Sequence, residues 1–176
     1  TNPAQERLQW PSPFRALIDE LEARRGSKVC VLATGDPMFY GVGTTLARSF
    51  GVSDMAVHPA PSSINLACAR LGWSVESINV VSVHGRALST VVQWLQPGRR
   101  LLVISHGAST PGDVGALLQE HGFGASPITV LEHLGGERER VTPCDSASVR
   151  EGSFEALSLV AIDARAGTEQ PWWPRV

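Results

Sequence analysis

A chain of 176 residues, 43% hydrophobic and 18% charged, holds enough apolar material for one ordinary domain or two small ones, which excludes a disordered chain. Its net charge of −2 leaves neither half basic enough to hold duplex nucleic acid by phosphate neutralisation alone. No apolar run reaches the roughly 18 residues of a membrane span, and no charged-then-apolar leader opens the chain.

In chain order, Ser12-Pro13 supplies an N-cap and first helical position. Phe14, Leu17, Ile18 and Leu21 follow at helical spacing, and Gly26 stops the helix. Residues 28–33 read as a buried strand leading into a Gly35-Asp36-Pro37 loop, and residues 44–50 as a helix ending at Gly51. A short strand is predicted over 55–58. Ile64, Ala67, Cys68 and Leu71 then mark a helix closed by Gly72, before a strand at 78–83. The alternation resumes with a helix over 87–95, a strand over 101–105 and a helix from Thr110-Pro111 whose Val114, Leu117 and Leu118 face inward. A strand at 128–133, a Gly135-Gly136 turn into 138–142 and a strand at 156–162 complete the pattern.

This alternation predicts an α/β fold, with a mostly parallel sheet in at least the first half and antiparallel pairing later. A parallel βα unit begins with a strand, whereas this chain opens on a helix, so an initial strand is expected to be absent from it. Residues 169–176, with Trp172-Trp173 between prolines, read as a linker or docking tail.

Ligands in open α/β sheets sit beyond the carboxyl ends of strands. His58, His84, His106 and His133 all fall at predicted strand ends, either sharing a cleft or simply tolerated where strands meet solvent. No histidine pair has i, i+4 spacing. Cys30, Cys68 and Cys144 stand apart without a Cys-x-x-Cys pair, so neither zinc nor a disulfide framework is expected, and a reducing cytoplasm fits. Lys28 is the sole lysine among 15 basic residues; arginine forks suit carboxylates, and genome base composition produces the same bias. Thr34-Gly35-Asp36-Pro37 with Gly41-Val42-Gly43 is dense in glycine. Either the backbone approaches a ligand there while Asp36 accepts hydrogen bonds from it, or the residues make a tight turn. The third glycine of a dinucleotide fingerprint is absent, as is any P-loop, which disfavours hydride transfer and kinase-like chemistry. Ser62 suits a helix N-cap, and the same helix start could face a ligand carboxylate.

Four strings carry a family resemblance. They are Leu32-Ala33-Thr34-Gly35-Asp36-Pro37-Met38-Phe39-Tyr40-Gly41, His58-Pro59-Ala60-Pro61-Ser62-Ser63, Ser82-Val83-His84-Gly85-Arg86 and Glu132-His133-Leu134-Gly135-Gly136-Glu137-Arg138-Glu139-Arg140. From about Trp10 to Asp163 the chain resembles the tetrapyrrole methylase superfamily, and within it the precorrin-6Y/precorrin-7 C5-methyltransferase branch of cobalamin biosynthesis. The resemblance implies two αβα domains, here 1–84 and 85–165 with 166–176 as linker or tail, and S-adenosylmethionine in the cleft between them. Its contacts would be Thr34, Gly35, Asp36, Phe39, Ser62, Ser63, His106 and Leu134. Family members also open with a strand and glycine-rich loop that nothing here matches. The resemblance further implies a cytoplasmic homodimer, with no nucleic-acid or membrane partner, and the amino-terminal half of an enzyme fused to a C15-methyltransferase/decarboxylase.

On this reading the donor's sulfonium methyl is already electrophilic and the chemistry asks for no metal. His84, Glu132 and Glu137 are candidate bases. Arg86, Arg138 and Arg140 are candidates to grip the acid side chains of the precorrin; in the plainer reading Arg138 and Arg140 pair with Glu137 and Glu139 on a solvated strand. The alternatives are a methyltransferase of the same fold acting on RNA or protein, and a non-catalytic scaffold that binds S-adenosylmethionine or a tetrapyrrole.

Overall fold

A computed structural model describes residues 6–13 and 15–167. Phe14 and the predicted tail from residue 168 onward lie outside them. The chain divides after Ala60 into two units.

In the first unit, α1 (Arg15–Glu22) half-buries the predicted stripe Leu17, Ile18 and Leu21, and Gly26 follows with φ +87°, a left-handed conformation that ends helices. Arg24 pairs with Glu20 one turn earlier. Arg25 pairs with Glu22 and Asp54 and lies 5.5 Å from the Phe50 ring centre. α2 (Val42–Phe50) buries Gly43 and Leu46 and ends at Gly51. The segments 28–33 and 55–58, expected as strands, have no ladder partner, and no strand forms before Ile78 among the described residues. Val29 and Leu32, expected in the core, are 47% and 79% exposed. Apolar, β-branched composition makes a segment fit for a sheet, but a strand exists only where a neighbour completes its hydrogen bonds.

The second unit is built on one five-stranded sheet in the order β1-β2-β5-β3-β4. Its strands are β1 (Ile78–Ser82), β2 (Arg100–Ile104), β3 (Ile128–Glu132), β4 (Arg140–Cys144) and β5 (Ser158–Asp163). Only β1 and β2 pair in parallel; β2–β5, β5–β3 and β3–β4 are antiparallel. The antiparallel pairing expected in the later part of the chain is therefore present, whereas the parallel part expected before it comes down to the single β1–β2 pair among the described residues. The last strand returns between β2 and β3 and runs opposite to both, an insertion that no local pattern encodes. Because β5 reverses direction between them, β1, β2 and β3 all end on the same edge. Residues 84 and 85 fall in the connection between β1 and β2.

Both faces of the sheet are covered, which is why its central strands are apolar throughout. On one side α3 (Ser63–Leu71) packs Ile64, Ala67 and Cys68 on Leu102, Leu131, Leu159 and Ala161. On the other, α4 (Thr110–Glu120) lays Val114, Leu117 and Leu118 on Leu101, Val103, Val130 and Val160. The stretch predicted as a helix over 87–95 is a 3-10 helix, Leu88–Trp94, with Val91 in the same core. α5 (Ser148–Glu151), four residues long, has no counterpart in the sequence reading; Asp145 organises its start by accepting from the Ala147 and Ser148 N–H groups. α3 is closed at both ends by its own sequence. The Ser62 hydroxyl accepts from the Asn65 N–H, the Asn65 side chain accepts from the Ser62 N–H, and Gly72 caps the far end at φ +65°. No helix among the described residues is long and apolar enough to cross a membrane.

Candidate functional site

The shared edge where β1, β2 and β3 end carries His84, His106 and His133. His84 and His106 follow neighbouring strands and stand with ring centres 5.6 Å apart. The His106 and Gly107 N–H groups donate to the Thr110 hydroxyl, which ties this loop to the start of α4. Beneath it the Ser158 hydroxyl donates to that of Ser105 at 2.9 Å, both buried. Arg86, Leu88, His106, Thr110 and Asp113 help line a shallow hollow of about 130 Å³. Arg86 has no ion-pair partner among the described residues. His58 belongs to the first unit and lies at no strand end, so the expected set of four strand-end histidines reduces to three.

The β3–β4 hairpin holds the densest polar network. Glu132 is 1% exposed, and both its oxygens accept from Arg140, while the Glu155 N–H donates to it at 2.8 Å. The Arg140 guanidinium above all, aided by the Glu155 N–H, holds this carboxyl below its ordinary range against the effect of burial. His133 is left-handed at φ +48°; its Nε2 is buried without a hydrogen bond and lies 3.9 Å from the Glu155 carboxylate. Leu134 packs on the α3 side of the sheet. The next residue, Gly135, donates its N–H to Glu139, which also receives Arg70 from α3. Glu137 and Arg138 are exposed.

In the first unit, Thr34, Gly35, Asp36 and Phe39 share one loop. Asp36 accepts from the Met38 N–H at 2.8 Å, its carbonyl accepts from the Phe39 N–H, and the Gly35 carbonyl accepts from the Ala60 N–H. A Cβ on Gly41 or Gly43 would lie 2.6 or 2.7 Å from the Pro37 carbonyl oxygen. Close passage of the chain over itself therefore accounts for this glycine pair. Phe39 is exposed and meets the Tyr40 ring edge-on at 5.0 Å.

Structure thus gathers His84, Arg86 and His106 at one edge, and ties Ser62, Ser63 and Leu134 to a common helix. Glu132 and Arg140 are joined to each other. Sequence reasoning missed Arg70 and Ser105, which stand in no recognisable motif, and gave Thr110 only as the start of a helix. Among the described residues no group of three or more His, Cys, Asp or Glu side chains is placed to hold a metal ion.

A family described as Tetrapyrrole (Corrin/Porphyrin) Methylases matches residues 6–149. This chain belongs to the tetrapyrrole methylase family. Among relatives of this chain is a precorrin-6Y C(5,15)-methyltransferase [decarboxylating] of a Sinorhizobium species, 47% identical over 92% of the chain and spanning 39% of the relative. A cobalt-precorrin-7 C(5)-methyltransferase of Salmonella typhimurium is 29% identical over 91% of the chain and 78% of its own length. In fold, the chain superposes on the Thermus thermophilus uroporphyrin-III C-methyltransferase in complex with S-adenosylhomocysteine. The TM-score is 0.72 at 17% identity, covering 90% of this chain and 77% of that one.

Proposed function

We propose that this methylase transfers the methyl group of S-adenosylmethionine to C5 of a precorrin in cobalamin biosynthesis. The observation that carries the reading is the 47% identity, over nearly the whole chain, to an enzyme named for methylation at C5 and C15. Covering 39% of that enzyme suits a C5-acting part of a protein with two activities, joined to a C15-methylating and decarboxylating part. The reading also takes the protein to be a cytoplasmic homodimer.

The donor supplies an electrophilic methyl; the chain's task is to bind, orient and exclude water, and alignment of reactants is worth on the order of 7–11 kcal/mol at best. The residues fit such a donor in two places. The Asp36 loop has an acceptor carboxylate on a turn of close-packed backbone. At the start of α3, Ser62 spends its hydroxyl on the cap, so the exposed Ser63 and the free N–H groups of the first turn are what remains for the donor's carboxylate. Leu134 and His106 complete the proposed donor contacts, with Thr34, Gly35 and Phe39.

Arg86 and Arg138, both exposed and without ion pairs among the described residues, are assigned to the substrate's acid side chains. Arg140 is committed to Glu132, which leaves both to hold the hairpin. The base that removes a proton around C5 is then sought in His84 or Glu137.

Calorimetric titration of the full chain with S-adenosylmethionine and then with a precorrin, followed by mass spectrometry of the product, tests the reading. Binding of both with a gain of one methyl on the macrocycle is expected. Tetrapyrrole binding without methyl gain would mark a scaffold instead.

A further inference from the structure

Of the polar contacts around the sheet edge, one ties a helix to a turn 69 residues away in sequence. Arg70, in the last turn of α3, donates through Nε and Nη2 to both oxygens of Glu139. The same carboxylate accepts the Gly135 N–H at 2.7 Å. Gly135 is left-handed at φ +78°, and a Cβ there would come within 3.0 Å of the Leu66 side chain, also on α3. The turn is closed further by Gly136 N–H to the His133 carbonyl and by Glu139 N–H to the Gly136 carbonyl.

A peptide unit is planar and trans, so its N–H and C=O point in opposite directions. Fixing the Gly135 N–H on Glu139 therefore aims the Leu134 carbonyl away from Glu139. That carbonyl accepts no hydrogen bond among the described residues. Because α3 starts at Ser62–Ser63 and carries Arg70 near its end, one rigid helix registers the turn at Leu134 against the helix start.

We infer that Arg70 and Glu139 are positioning residues that hold the Leu134–Gly135 peptide in the orientation needed to bind the methyl donor. This rests on the reading above that Leu134 contacts the donor. Neither side chain needs to touch the donor: the carboxylate acts through the peptide it holds, and the guanidinium through the carboxylate.

Donor dissociation constants for the full chain, measured by calorimetry with S-adenosylhomocysteine, test this in four variants. Glu139→Ala is expected to weaken binding about tenfold, the scale of one lost charge-assisted hydrogen bond. Glu139→Gln, which keeps an oxygen for the Gly135 N–H, should return to within about threefold of the parent. Arg70→Gln should fall between the two, and Arg70→Gln with Glu139→Ala should be no worse than Glu139→Ala alone, because both act through one contact. Saturating donor should restore most of the turnover number, so the change appears in KM. If Glu139→Ala does not fold, the Arg70→Gln and Glu139→Gln pair carries the comparison. Unchanged affinity in Glu139→Ala or Arg70→Gln, or an equal loss in the Gln and Ala variants at position 139, overturns the inference. Asp36→Ala separates this from the donor reading itself. If Asp36→Ala weakens binding while the position-139 variants do not, only the positioning role falls. If the parent chain does not bind S-adenosylhomocysteine, both fall.

Discussion

Arg140 and Glu132 are register partners across the β3–β4 ladder, and the guanidinium closes on the carboxylate at 2.6 and 2.8 Å. The pair is asymmetric in its surroundings: Glu132 is buried, whereas the Arg140 side chain is half in solvent. With the Glu155 N–H added, it fastens the hairpin to the segment that leads into β5.

Acid stability should report on this carboxylate. Its folded-state pKa lies below the ordinary 4.5, so its share of stability is complete above that value and is lost as pH falls through the folded-state pKa. Glu132→Gln should lower stability at neutral pH by about 1–2 kcal/mol, discounted for the half-exposed partner, or about 3–6 °C in Tm. Its acid limb should also be shallower than the parent's. Thermal melts in steps from pH 7 to pH 3 check both; parallel curves for the two proteins would show that Glu132 carries no such linkage.

Gly115→Ala should destabilise despite the better helix propensity of alanine. Propensity favours the change by about 1 kcal/mol. The new Cβ, however, would sit 2.5 Å from Val149 Cγ1 and 2.9 Å from the Ser146 carbonyl oxygen, where backbone cannot rotate aside. Overpacking of this kind costs about 1–3 kcal/mol, so a net loss is expected in the urea midpoint. A raised midpoint would mean that α4 and α5 move apart freely.

Removing each arginine should separate recognition from support. Arg86→Ala is expected to raise the KM for the tetrapyrrole about tenfold with donor affinity unchanged, and Arg86→Lys to recover only part, since an ammonium cannot reproduce a fork. Arg140→Ala should instead lower the melting temperature. Steady-state kinetics beside thermal melts would show whether the two effects are exchanged.

At Asp36 the turn and the charge can be told apart. Asp36→Asn keeps an acceptor for the Met38 N–H, whereas Asp36→Ala does not. Donor affinity should fall about tenfold in the Ala variant and about threefold in the Asn variant, read by calorimetry. No change in either, with the chain still folded, removes Asp36 from the donor's contacts.

The fold was legible in the sequence wherever a local rule decides. The stripe Ile64, Ala67, Cys68 and Leu71 between Ser62 and Gly72 fixed α3 and both of its caps, and Val114, Leu117 and Leu118 marked the inward face of α4, whose start carries no side-chain cap. Residues 28–33 mark the limit of such rules, because nothing in Val29 or Leu32 says whether a neighbouring strand is there to pair with them. Arg140 shows the same limit at the site, since alternation places it on a strand face but not opposite a buried Glu132.

What the sequence determined by itself is the alternation of helices and strands from α3 onward, both capped ends of α3 and the motif strings that mark the family. Those depend on bonds made within a turn or two of the chain. Tertiary structure alone decided that β5 enters between β2 and β3, that His84 meets His106, and that Arg70 reaches Glu139. Each joins residues far apart along the chain, and such pairs are selected by the packing of the whole sheet and its helices rather than by any preference the residues carry alone.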